Sequence, residues 1–162
     1  MLTKICDILV SISRGVMCVG VAVMIVSVAL QVLSRNTGAL QMIWTSDLAK
    51  LLFVWLTFLG AAVGLRMGVH YQVDLIPENS KWLNMAVNLI SVLAGFAVAG
   101  LLVYYGWQLA RIRGTAPVQS LGLSWFWVYL AMPVSGAMML VFLVEMLVTG
   151  KPVRTEPAEV SQ

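Results

Sequence analysis

Charge is what this sequence has least of. Only 10% of its 162 residues are Asp, Glu, Lys or Arg, against about 25% in an average soluble domain, and 60% are apolar. So little charge excludes the surface of a soluble enzyme or a nucleic-acid binder. Cysteine is nearly absent as well. Cys6 and Cys18 are the only two, and on one continuous helix they stand about 18 Å apart, too far for a disulfide. A disulfide-stapled secreted domain is excluded, and both thiols read as small buried apolar residues. A single histidine, His70, excludes the paired axial ligands of a membrane cytochrome b. HExxH, CxxC, a phosphate-cradling glycine loop and a serine with a histidine–acid partner are all missing. No enzymatic activity, metal or cofactor is therefore expected.

What the chain does have is long uncharged runs. Twenty residues separate Arg14 from Arg35, fifteen Lys50 from Arg66, twenty-nine Lys81 from Arg111, and thirty-one Arg113 from Glu145. A transmembrane helix needs about 20 mostly apolar residues, and the mean hydropathy of +0.93 agrees. The expected fold is an all-α integral membrane protein with four transmembrane helices in one domain, residues 1–150. A polar, proline-containing tail, 151–162, is expected to be disordered.

Local patterns add detail. In residues 3–14, Ile5, Ile8, Leu9 and Ile12 recur at helical spacing opposite Lys4, Asp7, Ser11 and Arg14, an amphipathic segment suited to the membrane surface. It runs on into the first span, and no A-x-A signal closes the apolar stretch, so a retained anchor is expected rather than a cleaved signal peptide. After a turn at Thr37-Gly38, the short segment ALQMIW fits a short interfacial helix before the second span. Thr45 or Ser46 is suited to cap that span, with Asp47 in its acidic first turn and Lys50 one turn on as its partner. The third span, Trp82 to Ala110, is longer than the bilayer needs. The fourth runs from about Leu123 to Val148, and Pro133 predicts a kink near its middle.

With four spans the termini share a side with the loop 66–81. That side carries Lys4, Arg14, Arg66, Lys81, Lys151 and Arg154; the other carries Arg35, Lys50, Arg111 and Arg113. Six cations against four favour cytoplasmic termini. Tyr104, Tyr105, Trp107, Trp125, Trp127 and Tyr129 crowd the opposite side as an interfacial belt.

Candidate functional residues are few. Glu145, near the end of the fourth span, reads as a headgroup-level residue, with a proton or sodium site as the alternative. Gln31 and Asn88 read as interhelical hydrogen-bonding groups. Gly60, Gly64 and Gly68 form a small-xxx-small stripe, and Gly95 with Ala99 a second one, suited to close helix packing within the chain or against another subunit. Spans without charge in their middles are poorly equipped to transport anything alone, which favours an accessory role.

From Leu33 to Pro77 the sequence reads LSRNTGALQMIWTSDLAKLLFVWLTFLGAAVGLRMGVHYQVDLIP. This resembles the small membrane subunit of tripartite ATP-independent periplasmic (TRAP) transporters, the DctQ-like family. The matching features are Arg35-Asn36, Trp44-Thr45 followed by Asp47, Leu48-Ala49, Phe53-Val54-Trp55, Phe58 to Ala62, and Arg66, Gly68, His70 and Val73-Asp74. Two features depart from the family pattern. Ser46 stands where the family often has the first of two acids, and no aromatic residue separates Arg35 from Asn36. No proton or metal role is therefore assigned to Asp47.

The resemblance implies a scaffold subunit of a sodium-coupled importer of an organic acid, such as a C4-dicarboxylate or sialic acid, in the bacterial inner membrane. Its implied partners are a large multi-helix membrane subunit and a periplasmic substrate-binding protein. In that setting Arg35, Lys50, Arg111 and Arg113 would meet lipid phosphates or acidic patches of the binding protein, and Arg66, His70 and Asp74 would order their loop by local pairing. The competing readings are a self-sufficient small transporter, which would need a buried carboxylate in the first span, and a cofactor-free membrane anchor of a redox complex.

Overall fold

A computed structural model describes residues 2–37, 43–67, 81–118 and 120–149. The elements are α1 (Leu2–Thr37), α2 (Ile43–Arg66), α3 (Lys81–Arg113), a two-residue-stranded hairpin β1 (Pro117–Val118) and β2 (Leu123–Ser124), α4 (Phe126–Tyr129) and α5 (Ala131–Thr149). Among the described residues, four helical stretches are long and apolar enough to cross a membrane: Thr3–Asn36, Ile43–Arg66, Leu89–Arg113 and Phe126–Val148. These are the four spans the charge gaps predict.

The spans are arranged as an open row. α1 packs on α2, α2 on α5, and α5 on α3, so that α2 and α5 are central and α1 and α3 form the flanks. A slab one helix thick presents two broad faces, and its large apolar side chains point outward from them: Ile5, Val19, Ile25, Phe53, Leu93 and Leu101 are all more than half exposed. Where the surrounding solvent is lipid this is the expected polarity, because apolar side chains gain nothing by leaving hydrocarbon for a helix interface.

The α1 seam shows the same inversion. Buried or half-buried along it are Cys6, Val10, Ser13, Met17, Gly20, Met24 and Ser27, spaced alternately by four and three residues, with Leu9 half-buried beside them. That is the 3.5-residue repeat of a left-handed helix pair. Small and flexible residues fill it, while Ile5, Ile8 and Ile12 face outward. Gln31 continues the seam, half-buried. Cys6 is buried as expected, but Cys18 falls off the seam and is exposed. At 36 residues the helix is about 54 Å long, well beyond the ~30 Å hydrocarbon layer, so its amphipathic first turns reach past the apolar zone.

α2 departs from expectation at its start. It begins at Ile43, making Thr45 its third residue, wholly buried instead of capping, and leaving no acid in the first turn. Ile43 and Trp44, read as part of a separate interfacial segment, open α2 itself; residues 38–42 lie outside the described residues. So do the side chain of Asn88 and the tail 151–162.

Pro133 acts nearer the beginning of the fourth span than its middle. A continuous helix would need an N–H at Pro133 for the carbonyl of Tyr129, and the proline ring would clash with that carbonyl. The span accordingly divides at Leu130 into α4 and α5, and regular bonding resumes from Val134 N–H to the Leu130 carbonyl at 3.2 Å. Three hydroxyls along the spans are satisfied locally. Ser27 donates to the Val23 carbonyl, Thr57 to Phe53 and Ser135 to Met132, as a bilayer without water requires.

Candidate functional site

α2 is tied to its neighbours by polar side chains at both ends. At its C-terminus Arg66 Nε donates to Glu145 Oε2 and Nη2 to Glu145 Oε1, both at 2.9 Å, and Nη2 also donates to Asp7 Oδ1 at 2.7 Å. The guanidinium carbon stands 5.5 Å from the centre of the Phe142 ring, one turn before Glu145 on α5, and the buried Cys6 thiol lies against Glu145. One planar fork thus holds three helices: α1 through Asp7, α2 through its own backbone, and α5 through Glu145. The fork grips both carboxylate oxygens of Glu145, a geometry open to arginine and closed to lysine. The Arg66 and Glu145 side chains are 18% and 10% exposed, whereas Asp7 is 70% exposed; the first pair is the desolvated one.

The Arg66 guanidinium reaches across helices to Glu145 and Asp7. His70 and Asp74, its expected loop partners, lie outside the described residues, as does Gly68. Glu145 sits near a helix end, buried and ion-paired to Arg66. A sequence signal existed: a lone acid closing a long uncharged run needs a cationic partner, and Arg66 ends the neighbouring span on the same side.

The other end of α2 is tied more lightly. Asp47 pairs with Lys50 at 3.1 Å, as the one-turn spacing predicts, and its second oxygen accepts from the Ser120 hydroxyl. Ser120 is delivered by the hairpin, whose turn closes through Gly122 at φ +63°, a conformation that favours glycine. Ser124 fixes the hairpin's other side by donating to the Gly114 carbonyl and accepting from Phe126 N–H. Trp55 Nε1 adds a bond to the Trp127 carbonyl at 3.0 Å. Ser120→Ala is expected to cost about 1 kcal/mol, read as a lower thermal midpoint in lipid nanodiscs, with Asp47→Asn giving a similar loss. Asp47 and Arg66 are nineteen residues apart, about 28 Å along the helix, so the two ties bracket one hydrocarbon thickness.

The closest backbone approaches lie between α3 and α5. A Cβ added at Gly136 would stand 3.0 Å from the Ala99 carbonyl, and one at Gly106 would stand 2.8 Å from both Met132 Cβ and Pro133 Cδ. Ala99, singled out by its spacing, is wholly buried at this contact, and Gly95 is half-buried one turn away. A Cβ at Gly60 would meet only Met17 Sδ, at an ordinary 3.8 Å. Gly60 and Gly64 are both half-buried. Arg35, Asn36 and Trp44 are exposed at the Asp47 end of the slab, as are Lys50, Arg111 and Arg113.

Four apolar helices in a row, with their charges drawn to the two ends and several of them joined there between helices, define a multi-pass membrane protein. The chain belongs to the DctQ component family of tripartite ATP-independent periplasmic transporters, whose family model matches residues 24–151. It is 34% identical over 119 residues to the C4-dicarboxylate TRAP transporter small permease protein DctQ of Pseudomonas aeruginosa, covering 69% of this chain and 56% of that protein. It is 33% identical over 116 residues to the sialic acid TRAP transporter permease protein SiaT of Haemophilus influenzae, covering 68% of this chain and 18% of that protein. The sialic acid small permease protein SiaQ of Vibrio cholerae is 28% identical over 102 residues, covering 60% and 57%. The chain thus spans little more than half the length of the small permease proteins and under a fifth of SiaT. The resemblance carried by residues 33–77 is to the family the chain belongs to.

Proposed function

We propose that this chain is the fixed scaffold of a sodium-coupled importer of an organic acid, of the C4-dicarboxylate or sialic acid kind, and is not an enzyme. In this reading a large multi-helix subunit carries sodium and substrate, and a periplasmic binding protein delivers the substrate. The observation that carries the reading is the Arg66 tie: the buried carboxylate and guanidinium of the spans are spent on joining α1, α2 and α5, which suits a rigid body better than a moving gate. The setting is the bacterial inner membrane with both termini cytoplasmic. The Arg35, Lys50, Arg111 and Arg113 end would then face the periplasm and acidic patches on the binding protein. A tagged chain purified in mild detergent from cells that co-express the large subunit should bring that subunit with it. Recovery of this chain alone, under conditions that keep it folded, would contradict the proposal.

The half-buried stripe of Gly60 and Gly64 supports one further element of the reading. Because little inside this chain fills the space over Gly60, the stripe suits a helix of the large subunit. Gly60→Ala is expected to leave the unfolding free energy of the isolated chain within about 1 kcal/mol of the parent while reducing recovery of the large subunit at least fivefold. Undiminished recovery would rule out this contact.

A further inference from the structure

The α3–α5 side of the slab carries a feature that neither tie uses. Where Gly106 lets α5 approach, a groove of about 300 Å³ opens on the surface, running from Val98 through Leu101, Tyr105 and Leu109 on α3 with Met132 opposite. Its accessible lining is almost wholly apolar, and it has about twice the volume of an apolar cavity able to take benzene, ~150 Å³. The groove follows one stripe of α3, residues 98, 101, 105 and 109, and one more turn along the same stripe is Arg113. Val98 and Arg113 are fifteen residues apart, about 22 Å, the depth of one leaflet including its headgroup layer, which is half of about 40–45 Å.

Charge names the occupant. The end of the slab to which the groove rises carries four cations, Arg35, Lys50, Arg111 and Arg113, against one acid, Asp47, and that acid is engaged by Lys50 and Ser120. The Arg113 side chain is exposed and has no ion pair among the described residues. A guanidinium offers a phosphate two parallel donors, and cations at this depth attract anionic headgroups. We propose that the groove holds one acyl chain of an anionic phospholipid whose phosphate is bound by Arg113. The site is specific in a way that general attraction to a basic membrane face is not: Arg111, two residues earlier, projects from another side of α3 and takes no part.

Native mass spectrometry of the full chain in mild detergent, with phosphatidylglycerol or phosphatidylcholine added at equal concentration, tests this. Phosphatidylglycerol should be retained at least fivefold better. Arg113→Gln should lose that preference and Arg111→Gln keep it within twofold. Leu101→Trp, at an exposed position where the larger side chain obstructs the groove without entering the core, should reduce retention at least fivefold with both arginines intact. Equal retention of the two lipids, equal effects of the two arginine changes, or full retention by Leu101→Trp would overturn the proposal. So would cross-linking of Leu101→Cys to the large subunit in the intact complex, since a protein helix would then fill the groove.

Discussion

Glu145→Ala is expected to destabilise the slab by about 3 kcal/mol, the lower end of the cost of breaking a buried ion pair, because Arg66 keeps its bond to Asp7. Arg66→Ala should do the same from the other side. With Arg66 and Glu145 only 18% and 10% exposed, neither can turn to water when its partner goes. The measurement is reversible unfolding in lipid nanodiscs, with the yield of folded chain as a second readout. Replacing both residues, Arg66→Met with Glu145→Leu, should recover much of the loss, because an apolar pair of similar volume removes both desolvation penalties. Arg66→Lys should fall between, as an ammonium cannot grip two carboxylate oxygens in parallel. Asp7→Ala should cost under about 1 kcal/mol, since that carboxylate is 70% exposed and pairs as a surface group. If Asp7→Ala proved as damaging as Glu145→Ala, the order of importance within the triad would be wrong.

The second large effect is expected where α3 meets α5. Gly136→Ala places a methyl 3.0 Å from the Ala99 carbonyl, Leu102 Cβ and Val103 Cγ2. Because a backbone atom is among the three, the helices must separate. Overpacking of this kind costs about 1–3 kcal/mol, and Gly136→Leu should prevent accumulation of the folded subunit. Gly106→Ala should behave similarly against Met132 and Pro133. The control is Gly100→Ala on the same helix as Gly106, where nothing lies within 4 Å of the new Cβ. It should be neutral or stabilising by up to about 1 kcal/mol through helix propensity alone. Parallel unfolding of the three variants separates packing from propensity. Equal stability of Gly136→Ala and Gly100→Ala would mean the close approach is not tight.

The four spans were legible because hydrocarbon excludes charge: Arg14, Arg35, Lys50, Arg66, Arg111, Arg113 and Glu145 mark ends, and the helices follow. The pairing of Asp47 with Lys50 was legible because it is local. The Arg66–Glu145 tie joins residues 79 apart, and one-dimensional spacing does not say that the second and fourth spans are the central pair of the row. Nor does hydrophobic periodicity point to the packed faces when both lipid and protein are apolar. On α1 it picks out Ile5, Ile8, Leu9 and Ile12, of which only Leu9 packs inward, while the seam is marked by Cys6, Ser13, Gly20 and Ser27. The same ambiguity drew attention to the Gly60 stripe and passed over Gly106 and Gly136, which carry the tight contacts between α3 and α5. Pro133 predicts a kink near the middle of the fourth span, and the helix is interrupted nearer its start. Its effect falls at Leu130 because proline disturbs the turn before it.

The central claim is that this subunit is a scaffold required by a transporter and is not itself the pathway. Proteoliposomes containing the large subunit with or without this chain, supplied with the binding protein and a labelled organic acid under a sodium gradient, test it most directly. The expected result is uptake only when both membrane subunits are present, and none from this chain alone. Uptake by this chain alone, or unchanged uptake by the large subunit in its absence, would contradict the account.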